Sequence, residues 1–206
     1  MPLNETGAVY FRDVFVPSIG SRIQEIVTAP FHVPDMMWVL APLFFSMLMI
    51  EFYLGRYRDE ELGWNTALGN SMILVFIGLD LLRRIYGAGI FEHLRLGFLP
   101  IPSAYAVIAL LIFGLGLLNV LVNFFHLLPK SFAFKVSSPL TANLTACLAI
   151  ILTYASIPAD VVSLIAVFVI FVVSVLAIDL VHLVEPRHME RKTNVGSVIE
   201  AVLRKD

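Results

Sequence analysis

Apolar residues run along this chain in five long blocks, at 36–54, 64–82, 102–128, 139–156 and 160–184, each set off by short polar joints. About 20 mainly apolar residues in helical form cross a hydrocarbon core, and helices close their own backbone hydrogen bonds where no water can. The block from 160 is rich in valine and isoleucine, but it has the length of a helix and not of a strand. Prolines at 100, 102, 129, 139, 158 and 186 fall at the block edges, where a helix has to stop or start. Only "IPA" joins the fourth and fifth blocks, which forces an antiparallel hairpin. The pattern predicts an all-α integral membrane protein, a bundle of about five transmembrane helices with an interfacial amphipathic helix at each end. Residues 1–35 form the N-terminal interfacial segment, 36–186 the five-span domain and 187–206 a cytoplasmic tail.

The two flanks carry a different periodicity. In "PSIGSRIQEIVTAP", Ile19, Ile23, Ile26 and Val27 repeat at i, i+4, i+7 and i+8, with Ser18 placed to cap and Arg22 and Glu25 on the opposite side. In "NVGSVIEAVLRKD", Val195, Val198, Ile199, Val202 and Leu203 repeat the pattern behind Asn194. Both suit helices lying along headgroups, or resting on a sibling subunit. No internal repeat is visible, so the two-fold symmetry of many secondary transporters is not indicated.

Composition agrees with lipid as the main solvent: of 206 residues 59% are hydrophobic and 15% charged, with a mean hydropathy of +0.87. A net charge of -2, with Lys and Arg scattered between apolar blocks, excludes a nucleic-acid partner. Cys147 is the one cysteine, so the chain can form no internal disulfide. The opening "MPLNETGAVYFRDVF" lacks a cationic start and a continuous apolar core, so the first span is expected to act as the targeting element. Arg56, Arg58, Lys130, Lys135, Arg187, Arg191, Lys192, Arg204 and Lys205 fall on one side of a five-span topology. Arg12, Arg22, Arg83, Arg84 and Arg95 fall on the other, which favours an outer N-terminus and a cytoplasmic C-terminus.

Antiparallel spans place the ends of spans one, three and five beside the starts of spans two and four. Glu51, then Asn119, Asn123 and His126, then Asp179 and His182 occupy those ends; Asn65, Thr66, Asn70 and Thr141, Asn143, Thr145 occupy those starts. They share one leaflet, while the other holds little beyond Asp80, one turn from Arg83 and Arg84. Asn119, Asn123 and His126 fall on one helical face, as do Asp179 and His182. The expected site is a polar pocket or pathway of Glu51, Asn70, Asn119, Asn123, His126, Asp179 and His182. Gly114 and Gly116 in "FGLGLL", and Ala67, Gly69, Ser71, Gly78, Ala142, Ala146 and Ala149, offer close helix contact.

Three functions fit these residues. The first is an oligomeric channel or transport protein for ions or small solutes, with the polar layer as its vestibule. The second is a non-catalytic scaffold or assembly subunit of a larger membrane complex, docking through its amphipathic ends and the "RYRDEELGW" loop. The third is a membrane metalloenzyme in which His126, Asp179 and His182 hold a transition metal such as zinc, with Glu51 as fourth ligand or general base. No compact motif such as HExxH supports that last reading, so no cofactor is expected. The partners expected are the lipid bilayer and either further copies of the chain or other membrane subunits.

Overall fold

The computed structural model describes residues 11–56, 63–87 and 103–184. The expected tail helix at 194–203, Arg95 and the centre of the "RYRDEELGW" loop lie outside them. A π-helical turn, Phe11–Phe15, leads into α1 (Val16–Thr28), and a 3-10 turn, Ala29–Phe31, joins α1 to α2 (Pro34–Arg56). There follow α3 (Trp64–Tyr86), α4 (Ala104–Phe124), the short α5 (Lys130–Val136), α6 (Pro139–Tyr154) and α7 (Val161–Val184). The five expected blocks are five helices long and apolar enough to cross a membrane, the fourth being α5 and α6 in succession.

The centre of the bundle is α6: the span it forms with α5 is buried over 72% of its apolar stretch, against 17% for α2 and 11% for α7. Small side chains make this possible: Ala142, Ala146 and Ala149 are all buried, as is Cys147. Ser138 caps the helix by accepting the Thr141 N–H at 3.1 Å, with Pro139 in the first turn. Pro42 lies inside α2, which continues through it although proline offers no N–H to the carbonyl one turn back.

The closest helix pair is α3 with α4. A Cβ built on Gly78 would lie 2.6 Å from the Phe113 Cα, and one on Gly116 would lie 2.6 Å from the Val75 nitrogen. Backbone therefore touches backbone, and only a residue without a side chain fits. Gly114 and Gly69, also expected at contacts, have nothing within 4 Å of an added Cβ.

α1 is amphipathic as expected, with Ile26 1% exposed and Ile19 and Ile23 half-buried. Two details differ from expectation. Ser18 does not cap the helix; it lies inside the first turn and donates back to the Phe15 carbonyl at 2.7 Å. The helix begins earlier because the preceding turn runs straight into it and Pro17 suits a first-turn position. Arg22 is not opposite the apolar face but one turn before Ile26 on it, bridging Glu25 at 3.2 Å and Asp160 at 3.3 Å. That second bond ties α1 to the start of α7. Asp160 also accepts the Ser163 N–H at 2.8 Å, which caps α7 and is the main cause holding its carboxyl below the usual carboxylate range.

Candidate functional site

The ends of α2, α4 and α7 meet the starts of α3 and α6 at one end of the bundle, where the expected polar residues resolve into two separate clusters. The first is centred on Asn123, 2% exposed, in the last turn of α4. Its Nδ2 donates to the Ser71 and Ser137 hydroxyls, both at 2.8 Å, and lies 3.4 Å from the Ala67 carbonyl. Asn70 donates to the Ser137 carbonyl at 2.9 Å, and the Ser71 hydroxyl donates to the Ala67 carbonyl at 2.8 Å. An amide nitrogen carries two protons, so the two short bonds use both. These residues tie α3 and α4 to the joint between α5 and α6, and they are packed shut. Asn119 is buried one turn earlier on α4.

The second cluster surrounds Glu51, 5% exposed near the end of α2. Its carboxylate faces the backbone amide of Leu140, in the first turn of α6, where amides have no acceptor within their own helix. From α7, His182 Nε2 lies 2.9 Å from the Glu51 carbonyl and 3.8 Å from its Oε2. A carbonyl only accepts, so Nε2 carries a proton in this arrangement. Asp179, one turn back on α7, is exposed, and its charge acts on Glu51 as well.

His126 joins neither cluster. Its place on the Asn119–Asn123 face required the helix to run through 126, but α4 ends at Phe124 and His126 takes a positive φ of 52°. The Leu127 amide closes that turn on the Val122 carbonyl at 3.0 Å. The imidazole is thereby carried to Trp64, with ring centroids 4.1 Å apart. Among the described residues no group of three or more His, Cys, Asp and Glu side chains converges as a metal would require. The set His126, Asp179, His182 and Glu51 is therefore not assembled, and Glu51 with His182 is the part of it in contact.

Asn143, expected at this end, joins neither cluster. It is fully buried on α6, one turn past Pro139, and neither its Nδ2 nor its Oδ1 has a hydrogen-bond partner. At the other end of the bundle Asp80 pairs with Arg83 at 2.9 Å, as its spacing indicated. Tyr154 adds to this: its hydroxyl donates to Asp80 at 2.7 Å and Arg84 lies over its ring at 3.9 Å. The antiparallel rule contained that signal, since it puts the end of span four beside the end of span two.

A groove of about 460 Å³ opens between α1, α2, α6 and α7, lined by Phe31, Phe44, Phe45, Leu148 and Ile170 among others. Its walls are almost wholly apolar, in contrast to the Glu51 cluster. Compared with protein families, curated proteins and solved structures, the chain matches none.

Proposed function

We propose that this chain is a multi-pass membrane protein, with its N-terminus outside and C-terminus cytoplasmic, that assembles as an oligomeric channel or transport protein for ions or small solutes. The observation that carries this reading is Glu51, a carboxylate almost wholly buried in an apolar 23-residue helix and met by His182. An ionisable group at the centre of a span costs about 2.5–3.5 kcal/mol on insertion scales and less toward its ends; one that is nevertheless shut inside the bundle marks a solute or ion pathway. Oligomerisation is supported by α7, which is little covered by its own chain yet exposes Asp179. In a bilayer that carboxylate needs water or a neighbouring subunit beside it, and a vestibule between copies supplies both.

The apolar groove favours a second reading, a scaffold subunit that receives a helix of another membrane protein there. Flux through liposomes holding the purified protein separates the two. Ion or solute flux above that of empty vesicles, reduced at least tenfold by Asp179→Asn, is expected. Background flux for the wild type would remove the transport reading and leave the scaffold.

A further inference from the structure

The Glu51 cluster also bears on what is carried, an inference that rests on the transport reading above. A pathway for hydrated ions or solutes needs room around its ligands, but Glu51 is 5% exposed and the His182 side chain 24%. The groups facing Glu51 are few. From α7 come His182 and Asp179, and from α6 the Leu140 amide; Arg56, five residues further along α2, projects from another side of that helix. A closed carboxylate–imidazole pair with a second carboxylate at its exposed edge has one natural ligand, the proton. We propose that Glu51 and His182 form a proton-binding pair, reached from the α7 surface past Asp179, and that protons are the transported or coupling species.

The transfer follows from the geometry. His182 holds a proton on Nε2, directed at the Glu51 carbonyl 2.9 Å away. Uptake of a second proton at Nδ1, the ring nitrogen not engaged with Glu51, makes the imidazolium. The Nε2 proton then passes to Glu51 Oε2, leaving a neutral imidazole protonated on Nδ1 and a neutral carboxylic acid. One proton enters and one moves; no other bond changes. The 3.8 Å between Nε2 and Oε2 has to close by about 1 Å to reach hydrogen-bond length, which a small rotation of either side chain provides. The Leu140 amide faces the carboxyl group and can donate to an oxygen of either protonation state.

Two readouts test this on the full chain in vesicles. Proton flux is followed with an entrapped pH-sensitive dye under a potassium diffusion potential, and protonation by infrared difference spectra across a pH jump. Wild-type vesicles are expected to pass protons, and Glu51→Gln and His182→Gln each to lower that flux at least tenfold. The carbonyl band of a buried carboxylic acid is expected in the wild type, absent in Glu51→Gln and shifted in His182→Gln. Glutamine keeps an oxygen for the Leu140 amide, so E51Q is expected to retain the wild-type elution profile. Potassium or solute flux without proton flux would overturn the proton assignment while leaving the transport reading intact. Absence of any flux would overturn both, and a carboxylic-acid band that survives in E51Q would overturn the assignment to Glu51.

Discussion

Replacing Gly116 with alanine is expected to destabilise the folded chain by about 1–3 kcal/mol, the usual range for overpacking, whereas Gly114→Ala two residues away is neutral or stabilising. Alanine is the better helix former by up to about 1 kcal/mol, so propensity alone predicts that both substitutions help. The difference lies in what the new methyl group meets. At Gly116 it would lie 2.6 Å from the Val75 nitrogen and 2.9 Å from the Leu74 carbonyl carbon, atoms that move only if α3 and α4 separate. At Gly114 it meets nothing within 4 Å. Gly78→Ala is expected to resemble Gly116→Ala, because its Cβ would strike the Phe113 backbone at 2.6 Å. Reversible unfolding in detergent–lipid bicelles measures all three. Equal stabilities for the Gly114 and Gly116 variants would show that the helices do not touch through backbone.

The second large effect is a contrast between two buried asparagines. Asn123→Leu removes the donor shared by Ser71 and Ser137 and is expected to destabilise by about 1–2 kcal/mol, near the upper end for polar contacts between membrane helices. Asn143→Leu removes an amide with neither end partnered and is expected to stabilise by about 1–3 kcal/mol, the desolvation penalty of an unsatisfied group. Leucine branches at the same carbon and is close in shape. The same bicelle unfolding experiment distinguishes them by sign. A destabilised Asn143→Leu would mean that the amide is satisfied in the working protein.

Much of this arrangement was legible in the residue order. Block length and edge prolines located all five long helices, and alternating direction put Glu51, Asn70, Asn123 and His182 at one end. Helix periodicity failed at His126, because a C-terminal turn with positive φ re-aims a side chain without any change in its spacing. Ordinarily glycine announces such a turn, and here histidine occupies it. Periodicity also could not show that the polar residues divide in two, since that depends on the neighbours of α6 around the bundle. Ser137 is the clearest omission. It lies in a joint outside every apolar block, yet its hydroxyl and carbonyl receive Asn123 and Asn70. Serine in a joint reads as a cap or a turn, and only three-dimensional closure makes it a junction of helices.

Antiparallel packing brings the ends of α2, α4 and α7 to one end of the bundle, and in the membrane protein proposed above that end lies at one depth beside a single surface. Spin labels at the exposed positions Phe52, Phe124 and Val181, each introduced as a single cysteine in a Cys147→Ser background, report that depth through collision with oxygen and a nickel chelate. The three labels are expected to agree within about one helical turn, ~5 Å, and a label at Leu111 on α4 to lie well toward the bilayer centre. Depths for the three that differ by about half the hydrocarbon thickness, ~15 Å, would contradict the shared layer and the site built on it.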